Sequence, residues 1–298
     1  MAKKKIRHIL GVSGGKDSTG LAILLHKIIP NLEFFFCDTK KELPETYAYL
    51  NRIETRFGIK IKRLGARKGF DEWLEAQGGY LPSARARWCT KQLKIKPLEE
   101  FVGNDMAYSY VGIRADEDRT GYLSTQTKIK PVYVYKAKDF TAYNLDKLTY
   151  SQPAMIKEFK NMGINLPIKE DGYCLTDVKC LITDSGIGMP AYYSWRTRSG
   201  CFFCFFQRKF EWVMLAERHP DLFNQAKQYE SHEDGRIFTW CQGETLDQIL
   251  ARKDQIKADH NKRVAKEKVN APNKPLIEAL EAVLDREDLV KPCVVCTL

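Results

Sequence analysis

Six consecutive residues, Ser13-Gly14-Gly15-Lys16-Asp17-Ser18, set two hydroxyls, an ammonium and a carboxylate around a glycine pair. They follow the apolar run Ile9, Leu10, Val12 and precede Leu21, Leu24, Leu25 and Ile28 at helical spacing. The order is strand, glycine turn, helix. Such a turn presents backbone amides at a helix start, where the dipole favours an anion. Ser13 and Ser18 add donors and Lys16 adds positive charge, so the chemistry indicated is phosphate binding. A Walker loop would need Gly-x-x-x-x-Gly-Lys-[Ser/Thr]. Here Gly11-Val12-Ser13-Gly14-Gly15-Lys16 is one residue too short, and Asp17 stands where the magnesium-holding hydroxyl belongs.

Cysteines form the second set. "SGCFFCFFQ" supplies Cys201 and Cys204, and "KPCVVCTL" supplies Cys293 and Cys296. Two C-x-x-C hooks give the four thiolates of a tetrahedral zinc or of an iron–sulfur cluster. The other reading of the second hook is a frayed tail bearing a redox pair. Cys89 is a substitute ligand for a tail cysteine, or a thiol that receives sulfur. Cys37, Cys174, Cys180 and Cys241 have no partner at ligand spacing and are expected to pack inside.

These residues need a scaffold. "LEFFFCD" (32–38), "IKIKRL" (59–64) and "MAYSYVGI" (106–113) read as strands, and "PETYAYLNRIETRFG" (44–58) as a helix that opens on proline and closes on glycine. The alternation predicts an α/β fold with a doubly wound parallel sheet over residues 1–135. The 13–18 turn, Asp38 and Arg114 then fall at carboxyl ends of strands, where ligands sit. Residues 136–298 read as a mixed, then helical, cysteine-bearing region. In it "LTDVKCLITDSGIGMP" is a helix stopped at Gly186, residues 205–268 are helical and highly charged, "NAPNKP" (270–275) is a linker and "LIEALEAVL" (276–284) a last helix. "WRTRSG" (195–200) places Arg196 and Arg198 before the first hook, facing either an anion or solvent.

Over the 298 residues, 44% are hydrophobic, an ordinary globular value, and no apolar run approaches a membrane span. "MAKKKIRHIL" lacks the pattern of a secretory signal, so a cytoplasmic location is expected. Nine cysteines in a reducing compartment point to ligands or reactive thiols rather than disulfides. The net charge of +10 favours polyanionic partners.

The SGGKDS turn resembles the signature of PP-loop ATP pyrophosphatases, which have the adenine nucleotide α-hydrolase-like fold. The resemblance implies that Gly11, Val12, Ser13, Gly14, Gly15, Lys16, Asp17 and Ser18 bind ATP with Mg2+, and that Lys16, Asp17 and Ser18 act in catalysis. It also implies attack at the α-phosphorus and release of pyrophosphate. "CDTKKELPETYAY" and "YVGIRADEDR" are similar to the phosphoadenosine phosphosulfate (PAPS) reductase branch, which adds Asp38 and Arg114 to the nucleotide site. "RWCTKQLKIKPLEE" resembles that branch's Cys-Cys…Lys-x-x-Pro-Leu segment, with Cys89 matching the first cysteine and Thr90 replacing the second. Because that branch carries clusters, a [4Fe-4S] cluster is preferred over zinc. The whole arrangement looks most like DNA phosphorothioation enzymes of the Dnd and Ssp type. That implies a cysteine desulfurase as sulfur donor, DNA (or transfer RNA) as acceptor, and modification-complex subunits as partners. A sulfonucleotide reductase is the competing reading, although the chain lacks that family's terminal Glu-Cys-Gly-Leu-His. A non-catalytic nucleotide sensor is the third.

Overall fold

The computed structural model describes residues 6–118, 128–143, 148–233 and 236–269. Five strands form the central sheet: β1 (Ile6–Gly11), β2 (Leu32–Asp38), β3 (Ile61–Gly65), β4 (Met106–Tyr110) and β5 (Ile129–Val132). Every pairing is parallel and the order is β3-β2-β1-β4-β5. The chain winds outward from β1 on one side, returns, and winds outward from β4 on the other. The crevice between β1 and β4 is therefore the switch point where such sheets bind ligands.

Alternation along the strands covers both faces, as a parallel sheet requires. Leu10, Phe34, Phe36 and Tyr110 belong to one buried cluster; Ile9, Phe35 and Ala107 belong to another on the opposite face. The helices that follow are α1 (Lys16–Leu25), α2 (Pro44–Phe57), α3 (Phe70–Ala76), α4 (Trp88–Thr90) and α5 (Lys96–Val102). Lys91–Ile95, between the last two, is a π-helical stretch. Pro44 opens α2, and Gly58 ends it at φ +63°. The two-stranded β6 (Thr141–Tyr143) and β7 (Thr149–Ser151) lead to α6 (Gln152–Asn161) and α7 (Leu175–Asp184). A Cβ on Gly20 of α1 would lie 2.8 Å from the Tyr135 hydroxyl and 3.0 Å from a Val178 methyl, so glycine is what lets α7 pack this closely.

The cysteines of α7 depart from expectation. Val178 and Ile182, one turn apart, face the core, which turns Cys180 outward; Cys174 precedes the helix with its sulfur on Asp177 at 3.1 Å. Both are exposed, whereas Cys37 and Cys241 are half-buried.

The expected helical stretch 205–268 is broken into α8 (Lys209–Arg218), α9 (Pro220–Gln228), α10 (Leu246–Ala251) and α11 (Lys253–Val269) by the antiparallel hairpin β8 (Ser231–Glu233) and β9 (Arg236–Phe238). These helices pack on an aromatic core in which Phe203 and Trp240 stack at 5.0 Å and Trp212 is fully buried. That core takes Leu43, Phe70 and Trp88 from the sheet-forming half, while the sheet's own core takes Phe159, Val178 and Ile182 from beyond residue 135. The 270–275 linker, the 276–284 helix and the hook at Cys293 and Cys296 lie outside the described residues. No described helix is long and apolar enough to cross a membrane.

Phe159 is fully buried among His8, Tyr108 and Tyr110, with its ring edge-on to all three. Phe159→Ala should cost ~3–5 kcal/mol in urea unfolding, because the cavity left behind cannot collapse against rings held by the sheet.

Candidate functional site

The turn after β1 is built by short polar contacts. Gly14 adopts φ +77°, which favours glycine. Ser18 Oγ accepts from the Ser13 amide at 3.1 Å and donates to the Gly15 carbonyl at 3.2 Å; Thr19 Oγ1 donates to the same carbonyl at 2.8 Å. Ser13 and Ser18 hydroxyls are 3.1 Å apart. The turn is thereby held open at the N-terminus of α1, where backbone amides and the helix dipole favour an anion.

Three residues from far along the chain close over this turn. Tyr192 donates its hydroxyl to the Gly14 carbonyl at 2.7 Å. The neighbouring Tyr193 hydroxyl accepts from the Lys16 amide at 3.2 Å, and its ring lies 5.1 Å from the Lys16 ammonium. Ser199 Oγ is 3.2 Å from Ser13 Oγ, and a Cβ on Gly15 would meet Ser199 Oγ at 2.6 Å. Glycine at 15 is what admits the segment. No sequence signal links these tyrosines to a turn 178 residues away.

Arg114 stands across the switch point. Its NH1 reaches Asp17 Oδ1 at 2.6 Å and Glu117 at 3.3 Å, and its Nε reaches Asp116 at 2.9 Å, with the side chain 3% exposed. Burial disfavours the charge, but the three carboxylates outweigh it and raise the guanidinium pKa further. A Cβ on Gly112 would lie 3.2 Å from the Asp17 backbone, so the segment that follows β4 runs directly against α1. Lys16 is buried, 3.9 Å from Asp17 Oδ2. Asp38, at the end of β2, accepts from the Tyr47 hydroxyl at 2.7 Å and pairs with Lys40 at 2.8 Å. Burial opposes its ionisation, yet the bonds from Lys40 and Tyr47 hold its pKa below the ordinary carboxylate value.

The cysteine hook is tied to the same sheet edge. Phe202 donates its amide to the Lys41 carbonyl at 2.8 Å, just beyond β2. Arg196, expected to face an anion or solvent, is 2% exposed and instead donates to the Gly200 and Cys201 carbonyls at 3.0 and 2.6 Å. Cys201 Sγ lies 3.2 Å from Thr39 Oγ1 and 3.6 Å from Glu42 Oε1. Desolvation of this sulfur, reinforced by Glu42, pushes the thiol well above its ordinary value. Cys37, beside it on β2, is pushed up to about 12 by burial.

Cys89, Cys201 and Cys204 border one apolar cavity of about 30 Å³, with Lys94 and Thr90 on the wall. Sulfur donors in an apolar shell match the chemistry of an iron–sulfur cluster, whose ligands spread around several atoms. Zinc takes thiolates too, and among the described residues no three His, Cys, Asp or Glu side chains are grouped so as to hold either. Sequence reasoning separated Cys89 from the hook by over a hundred residues; the fold brings them to one cavity.

Residues 7–149 match the phosphoadenosine phosphosulfate reductase domain. An uncharacterised Methanocaldococcus jannaschii protein is 27% identical over 216 residues, which cover 72% of this chain and 45% of that protein. The adenosine 5'-phosphosulfate reductase of Bacillus cereus is 27% identical over 113 residues, 38% of this chain and 48% of the relative. That of Salinibacter ruber is 26% identical over 177 residues, 55% of this chain and 69% of the relative. The chain spans about half the length or less of the first curated relatives it matches. A phosphate complex of the PAPS reductase from Candida auris overlays with TM-score 0.43 at 12% identity, over 67% of this chain and 82% of that one.

Arg114→Met would remove the buried cation that Asp17, Asp116 and Glu117 share. Breaking a buried pair by removing one partner costs ~3–5 kcal/mol. The urea midpoint should fall accordingly, and a second substitution, Asp17→Asn, should recover part of the loss.

Proposed function

We propose that the chain is a PP-loop ATP pyrophosphatase that adenylates an acceptor, the DNA backbone, for sulfur insertion, with pyrophosphate released. The observation that carries this reading is the Ser13–Ser18 turn, set at the switch point with Lys16 beside it and a thiol-lined cavity at the same sheet edge. The α1 amides and Lys16 would hold the phosphates and stabilise charge that develops on the departing pyrophosphate. Magnesium would neutralise the remaining phosphate charge. Asp17, held by Arg114 on one oxygen and near Lys16 on the other, positions both cations. Attack by an acceptor oxygen on the α-phosphorus breaks its bond to the bridging oxygen and leaves an adenylated acceptor. The terminal sulfur of a persulfide on the donor, a cysteine desulfurase, then attacks the activated phosphorus and displaces AMP. A thiol reductant cleaves the remaining S–S bond, leaving the sulfur on phosphorus and itself ending as a disulfide with the donor cysteine or with a second thiol. The basic balance of the chain, +10, suits a phosphate-rich acceptor, and the resemblance to phosphorothioation enzymes would add modification-complex subunits as partners.

Cys89, Cys201 and Cys204 would hold a [4Fe-4S] cluster, with Cys293 or Cys296 as the fourth ligand. Such a group, when bound, supplies sulfur-handling or redox chemistry. Because its thiol pKa is raised, Cys201 must lose a proton to become a ligand.

The adenosine 5'-phosphosulfate reductases among the relatives favour a second reading, sulfonucleotide reduction. One assay separates the two. Incubated with ATP and acceptor the protein should release pyrophosphate, and Lys16→Ala should abolish that release without unfolding; with PAPS and a thiol reductant it should release no sulfite. Sulfite without pyrophosphate would establish the second reading instead. Protein purified without oxygen should be brown, and Cys201→Ser should bleach it; colourless protein with stoichiometric zinc would contradict the cluster assignment.

A further inference from the structure

The thiol-lined cavity is walled chiefly by two stretches of chain that carry no acid. Residues 76–98 hold five lysines and arginines and residues 185–210 hold four, with no aspartate or glutamate in either. The carboxylate that reaches the cysteine hook, Glu42, is buried and accepts from Thr39 at 2.9 Å. Charge at the cavity's rim is therefore basic.

One aromatic ring gathers a guanidinium from each stretch. Arg87 lies 5.1 Å and Arg198 5.7 Å from the centre of the Phe206 ring, which itself borders the cavity beside Cys204 and Cys89. The negative face of the ring offsets part of the repulsion between two such cations. Arg87 is half-buried, and its Nε donates to the Ala84 carbonyl at 3.2 Å. No described carboxylate pairs with it, so both terminal nitrogens of its fork are available. The next residue after the ring, Gln207, closes a turn onto the Cys204 carbonyl at 2.8 Å. Its side chain is 6% exposed, yet neither amide atom has a hydrogen-bond partner, a cost that a bound polar group would remove. Planar guanidiniums beside an amide are suited to a tetrahedral oxyanion, which takes bidentate bonds. The void itself, about 30 Å³, admits little more than one water-sized group, so an oxyanion sits at its rim and not inside. Arg198 also precedes Ser199, whose hydroxyl is 3.2 Å from that of Ser13, and so the rim adjoins the phosphate turn.

We propose that Arg87 and Arg198, held on Phe206, bind a phosphate-type oxyanion of the second substrate at the rim of the thiol cavity. The inference rests on the adenylation reading for the source of that group, a backbone phosphodiester of the acceptor, which has to lie within reach of both the turn and the thiols. Under sulfonucleotide reduction the same chemistry would come from a nucleotide phosphate.

Isothermal titration calorimetry at fixed ionic strength tests it with two probes, a short oligothymidylate and adenosine 3',5'-bisphosphate. The oligothymidylate should bind, and Arg87→Gln and Arg198→Gln should each weaken it about tenfold, as loss of one charge-assisted hydrogen bond does. Arg87→Lys, which keeps the charge but loses the fork, should recover only part of that loss. Lys128→Glu, an exposed site ahead of the outer strand β5, should change nothing. Circular dichroism establishes that each variant is folded, and Arg87→Gln serves if Arg198→Gln is not. The proposal is overturned if neither probe binds, if neither arginine matters, or if Lys128→Glu weakens binding equally. Arginine-dependent binding of the bisphosphate alone would support the site and assign its oxyanion to a sulfonucleotide. Oligothymidylate bound through Arg87 with no pyrophosphate release would sink the adenylation reading and leave the oxyanion site standing. Pyrophosphate release with binding indifferent to both arginines would sink the rim assignment alone.

Discussion

The ion pair between Arg114 and Asp17, 2.6 Å across the crevice between β1 and β4, is the constraint on which the rest of the site depends. Desolvating such charges costs several kcal/mol per ion, so the pair persists only with further partners. Asp116 and Glu117 supply them on one side, Lys16 on the other. The pair fixes the first turn of α1 against the segment that follows β4, at the glycine that lets the backbones touch. Arg114 was expected to contact the nucleotide. In the fold it is held by Asp17, Asp116 and Glu117 and so orients the carboxylate that neighbours Lys16.

The second half of the chain completes what the sheet begins. Tyr192, Tyr193 and Ser199 close on the phosphate turn, and two residues further Cys201 joins Thr39 and Glu42 at the end of β2. Arg196, by holding the Gly200 and Cys201 carbonyls, stiffens the short link between these two anchor points. A turn suited to phosphate and a cavity suited to sulfur are therefore ends of one polypeptide segment. This proximity is the structural argument for coupling activation of an acceptor to sulfur delivery.

Much of this was legible in the residues. "LEFFFCD" is a strand over its full length, with Phe34, Phe35 and Phe36 buried because both its faces are covered there, and Pro44 and Gly58 punctuate α2 as their backbone preferences require. The turn at 13–18 could be read because its chemistry is contiguous. What could not be read is non-local. Nothing in the sequence ties Tyr193 to Lys16, since that contact arises only when the helical region folds onto the sheet edge, and Cys89 could be read only as a substitute ligand until the fold set it on the wall of the same cavity as Cys201. Cys180 was misplaced for a simpler reason: cysteine's general preference for the interior yields to helical phase once Val178 and Ile182 take the inward positions.

The central claim is that the turn after β1 directs bond breaking to the α-phosphorus of a triphosphate. Phosphorus NMR of ATP turnover in the presence of oligonucleotide and magnesium tests it most directly. The account predicts AMP and pyrophosphate as the accumulating products; ADP and orthophosphate would contradict it.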